Sequence, residues 1–160
     1  MDILKSTSIF VRDLLDYNEQ LIRIGRFNFE IDGFEDNYIA VDSISPALRL
    51  GTGQYFDATS EVMEYQEQWR APIIISFYGT NAHINANNFR LYLQGQNSIE
   101  LQKSLSIAVF KSSSLTDIKI LTGQNYSNRL DLTINVEYSI SVNIDTLRID
   151  TAETSLIVDN

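Results

Sequence analysis

The strongest pattern along this chain is an unbroken alternation near its carboxyl end. Leu130, Leu132, Ile134, Val136, Tyr138, Ile140, Val142 and Ile144 are apolar, and the residues between them, from Asp131 to Asn143, are polar. A period of two places one set of side chains on each face of a strand, so this segment reads as a half-buried strand. At roughly 3.3 Å per residue it would span about 50 Å, more than most domains consume. Such a strand either bends or projects and pairs outside its own domain.

Weaker signals fill in the rest. Trp69 to Tyr78 is β-branched, nearly free of charge and closed by Gly79, the mark of a buried strand. Tyr38 to Ile44 and Thr116 to Leu121 are further strands, and residues 123–128 form a hairpin-type connection after the latter. Ala82, Ala86, Phe89 and Leu93 make one helical stripe, capped by Thr80 or Asn81 and stopped at Gly95. Ser98 opens a second helix. It carries Leu101, Leu105 and Ala108/Val109 on one face, and ends near Phe110 with Lys111 in its last turn.

The amino-terminal part is more ambiguous. Phe10, Leu14 and Leu21 fit a short helix from Ser6 or Ser8 to about Gln20, while Ile9-Phe10-Val11 also fits a strand. Residues 25–36 read as an ordered loop, Ser45-Pro46 through Gly53 as a turn-rich connection, and Tyr55 to Gln66 as a polar stretch with a weak strand pattern. Beyond the long strand, Leu147-Arg148-Ile149 and Leu156-Ile157-Val158 are extended apolar segments. They fit equally an exchange between neighbouring subunits and a last hairpin folded on its own sheet. Strands and helices are grouped rather than alternating. The expected class is α+β: an antiparallel or mixed sheet with two helices packed on one face, a long carboxyl-terminal strand and an extended tail. Residues 1–160 form one domain, with an N-terminal helix and loop over 1–36, a core over 37–142 and an extension over 143–160.

Charge and composition narrow the function. Twelve basic against 21 acidic residues give a net charge of −9. Such a field repels phosphates, which argues against a DNA reader and fits either a wall that does not hold DNA or plain solubility. The absence of cysteine removes disulfides, thiolate metal sites and cysteine nucleophiles, and fits a reducing cytoplasm. No apolar run approaches the ~18 residues of a membrane span, and Met1-Asp2-Ile3-Leu4-Lys5 does not read as a signal peptide.

Candidate chemistry is sparse. The single histidine, His83, has no nearby nucleophile and acid with which to form a triad, and reads as structural. Glu30, Asp32, Glu35 and Asp36 lack the order of a calcium loop and read as a solvated acidic loop. Asp131 and Glu137 share a strand face but lie about 20 Å apart, too far for acid–base partners. Gly51-Thr52-Gly53 lacks the Gly-Lys-Ser/Thr end of a phosphate loop and reads as a turn. Arg49, Arg70 and Arg90 are separated, with Arg90 expected in a surface ion pair. Trp69-Arg70 either anchors an interface or starts a core strand. No catalytic, cofactor-binding or metal-binding residue is assigned, and no enzyme activity is expected.

The segment from Trp69 to Gly79, followed by Asn81-Ala82-His83-Ile84-Asn85-Ala86 and a helix, is similar to the phage neck terminator family and its tail-terminator relatives. Leu21-Ile22-Arg23 followed by Tyr38-Ile39-Ala40-Val41 agrees with that group's N-terminal half. The acidic stretch around residues 30–36 and the C-terminal tail do not match it. The resemblance implies a structural protein of the virion, assembled in the host bacterial cytoplasm, with no catalytic residues and no membrane contact. It further implies a hexameric ring that caps the tail tube and joins it to the head connector, with DNA passing through the lumen without specific binding. If Asp131, Glu137 and Asp145 faced that lumen, they would repel the DNA. Two other classes compete. A small acidic inhibitor or DNA mimic would share the charge and the missing site. A hydrolase or carbohydrate-binding module would need convergent carboxylates or aromatic rings in a pocket.

Overall fold

The computed structural model describes residues 2–25, 37–57, 59–111, 115–122 and 125–145. In chain order the elements are α1 (Ile3–Leu15), a 3₁₀ turn (Glu19–Leu21), β1 (Ile22–Ile24), β2 (Ile39–Ser43), β3 (Leu48–Asp57), β4 (Val62–Tyr78), α2 (Ala82–Tyr92), α3 (Gln96–Ser104), β5 (Ile107–Lys111), β6 (Thr116–Thr122) and β7 (Asn125–Asp145). The class is α+β, with three helices on one face of a mixed sheet. The loop read over 25–36 and the tail beyond Asp145 fall outside the described residues, apart from Gly25.

The alternating segment is β7, and it forms a spine with β4. All 17 residues of β4 are matched antiparallel to β7, from Val62 opposite Asp145 to Tyr78 opposite Arg129. Each outer edge of this spine is shared end to end by two shorter strands. On the β4 edge, β2 pairs with Ile73–Phe77 and β3 with Val62–Arg70. On the β7 edge, β6 pairs with residues 125–131 and β5 with residues 134–138. β1 adds to β2 in parallel.

The core occupies one half of the spine. Ala71, Ile73, Ile75 and Phe77 of β4 face Val136, Ile134, Leu132 and Leu130 of β7, all at most 3% exposed. Burying each large side chain contributes roughly 1.5–3 kcal/mol. Phe10 of α1 and Phe89 of α2 meet edge to face at 6.2 Å above them, and Phe89 also tilts against Phe77 at 6.1 Å. Ala82, Ala86 and Phe89 supply the stripe of α2 that the sequence spacing marks out.

Three local readings are corrected by the structure. α1 starts at Ile3, not at Ser6 or Ser8, because the Asp2 carboxylate accepts from the amides of Leu4 and Lys5. Ser8 is inside the helix, its hydroxyl donating to the Lys5 carbonyl. The helix ends at Leu15 because Asp16 turns left-handed at φ 49°. α3 stops at Ser104, and Ser106 at φ 54° reverses the chain into β5, so Ile107 and Val109 are buried at strand spacing and Phe110 is exposed. The match of Leu101 and Leu105 to Ala108/Val109 is a coincidence of two periods. Finally, the Gly51–Gly53 stretch is not a turn. It runs within β3, with an irregularity in register between Arg49 and Gly51.

Gly79 is the position where only glycine fits. Its φ is +93°, and a Cβ there would lie 2.7 Å from Asn37 Oδ1 and 2.9 Å from Asn37 Cα. That same Oδ1 accepts from the Asn81 amide at the start of α2, which takes over the capping expected of Thr80 or Asn81 themselves. Tyr17 Oη donates to the Asn37 carbonyl at 2.7 Å and ties the N-terminal segment to the same corner. Gly79→Ala is therefore expected to lower the unfolding free energy by about 1–3 kcal/mol in urea titrations. Gly53→Ala, whose Cβ meets nothing within 4 Å, should stay within about 1 kcal/mol of the unaltered chain.

Candidate interaction surface

Past Ala71 the spine leaves the helices behind. β3, the first half of β4 and the last part of β7 continue as a three-stranded arm, about 30 Å long at ~3.3 Å per residue. Strand alternation carries the core face straight onto it. Trp69, Glu67, Tyr65 and Met63 follow Ala71 on β4, opposite Tyr138, Ile140, Val142 and Ile144 of β7. Tyr65 is 40% exposed, Ile140 41%, Val142 56% and Ile144 51%, although their sequence pattern is that of core positions. The charged groups on this face engage one another: Glu67 accepts from Arg49 and from the Trp69 indole, each at 3.2 Å. A 230 Å³ cleft between Ile107, Tyr138 and Gln68 marks where β5 ends and the arm begins. Among the described residues, no strand pairs with the outer edge of β3, or with the edge of β7 away from β4 beyond Tyr138.

The opposite face of the sheet bears no helix among the described residues and is arranged around arginines. Arg129 forms a bidentate pair with Asp131 at 2.7 and 2.8 Å, with the two side chains only 16% and 9% exposed. The guanidinium also lies 5.4 Å from the centre of the Tyr78 ring, which stacks on Tyr38 at 4.2 Å. Burial is the largest single influence on Arg129 and works against its charge, but the hydrogen bond it donates to Asp131, together with the neighbouring Tyr78, Asp131 and Tyr38, outweighs this and its pKa is raised. Burial first, then the neighbouring Tyr78, pushes the Tyr38 phenol up to about 12, with Arg129 opposing. Further along the same face, Arg70 Nε donates to Glu137 at 2.8 Å. Two of the three carboxylates proposed to repel DNA, Asp131 and Glu137, therefore already hold arginine partners. Only Asp145, at the arm tip, has none described.

The remaining candidates stay apart. His83 is exposed on α2. The Glu30–Asp36 cluster lies outside the described residues. Arg90 makes no ion pair among the described residues, and its Nε is buried without an acceptor, contrary to the surface ion pair expected for it. Trp69 and Arg70 point to opposite faces of the arm's base. Three clefts among the described residues each hold at most one carboxylate. The 310 Å³ one beneath α1 has Glu19, which pairs with Arg12 at 3.3 Å; the one at the arm's base has Glu137; and the 280 Å³ one beside Tyr92 has none. Among the described residues no group of three potential metal ligands converges, and no helix is long and apolar enough to cross a membrane.

A family model for the phage neck terminator protein matches residues 9–159. The chain belongs to the phage neck terminator family. No curated protein gives a significant match. Membership makes this a structural protein of the phage neck, and the Tyr78-Gly79 pair that carried the resemblance now has a physical reason. Tyr78 anchors the Arg129 cluster, and Gly79 makes the only turn that admits Asn37 beneath α2. Sequence reasoning missed the roles of Tyr38 and Arg129 and the strand at Gly51–Gly53, since pairing across the sheet gives no local periodicity.

Two outcomes follow for this neck protein. Asp131→Asn strands Arg129 in a largely buried site and should cost about 1–3 kcal/mol in thermal melts, whereas Glu137→Gln, in a more exposed pair, should cost less than about 1 kcal/mol. The raised Tyr38 pKa favours the folded state fully below pH ~10, where the phenol is neutral in both states. As pH climbs from there toward 12 the unfolded chain releases its proton first, so this contribution is lost. Urea titrations at pH 9, 10 and 11 should show a shallower alkaline decline for Tyr38→Phe than for the unaltered chain.

Proposed function

We propose that the chain is a ring-forming neck subunit, six copies in the form the family resemblance implies, which caps the tail tube and joins it to the head connector. The observation that carries this reading is the arm. An acidic chain of net charge −9 keeps Tyr65, Ile140, Val142 and Ile144 exposed on a three-stranded extension. Such a face outside the domain core belongs against protein. Heterologous contacts of this kind close into rings when the rotation between copies permits. The subunit works by assembly, without chemistry of its own, in the virion neck after assembly in the host cytoplasm.

DNA passes through the lumen without specific binding. The overall negative charge, rather than the Asp131 and Glu137 carboxylates, supplies the repulsion. The acidic-inhibitor alternative requires a free carboxylate array, and the pairing of Asp131 with Arg129 and of Glu137 with Arg70 speaks against one on this face.

Native mass measurement and negative-stain imaging of the purified chain test the reading, together with immunogold labelling of intact particles. A closed ring with a central opening, and label at the junction of head and tail, are expected. A chain that remains a monomer at micromolar concentration and is missing from intact particles would overturn it.

A further inference from the structure

We draw no further inference here: the strongest candidate, the apolar helix-side face of the β3–β4–β7 arm around Tyr65, Ile140, Val142 and Ile144, has no partner among the described residues, and nothing in the structure shows what covers it.

Discussion

The antiparallel pairing of β4 with β7 is the interaction on which everything else in the molecule hangs. Every other strand attaches to one of these two or, in the case of β1, to a strand that does. Of the helices, α2 packs on both of them, while α1 packs on β1, β2 and the other two helices and α3 on β5. Because side chains in a strand alternate with a strict period of two, one register decides the environment of both faces over the whole length. A slip of one residue would turn Ile73, Ile75, Phe77, Leu132 and Ile134 out of the core and bring Ser76, Asp131 and Thr133 in. The arm inherits its apolar face from this same register. It is not a separate module but the far end of the core strands, and its exposed Ile140, Val142 and Ile144 follow from the rule that buries Leu132, Ile134 and Val136.

How much of this could be read from the sequence depended on whether the signal was local. β7 was legible from Leu130 to Ile144 because alternation without a break has no helical reading, and its excess length left a bend or a projection. The core half of β4 and the stripe of α2 were legible for similar reasons. β3 was not. Its glycines and polar residues look like a connection, and it becomes a strand because β4 offers it an edge, an instance of tertiary context overriding propensity. The end of α3 was misplaced because Ser106 adopts a left-handed turn that nothing in its residue type announces. The cluster of Tyr38, Tyr78, Arg129 and Asp131 draws on three strands far apart in the chain, and only the register brings the four together.

The neck terminator family explains why a chain would keep such an arm. A monomer made to function alone gains nothing from long strands that outrun their helices, and open edges invite unwanted pairing. The chain manages that hazard locally. Arg49 is tied to Glu67 beside the irregularity in the β3 register, which breaks the even run of that edge strand. Net negative charge holds free copies apart over a Debye length of about 8 Å at physiological salt, so that association waits for close and correctly oriented contact.

Charge and apolar surface are separated by the same register. At long range free copies repel, since each carries −9. The helix-side face of the arm takes little part in that repulsion. On β4 and β7 its one acid is Glu67, and Arg49 already pairs with it, whereas Glu64, Glu137 and Asp145 lie on the opposite face. A period of two therefore puts the arm's apolar side chains on one side and most of its charge on the other, so a contact through the apolar side meets little like charge.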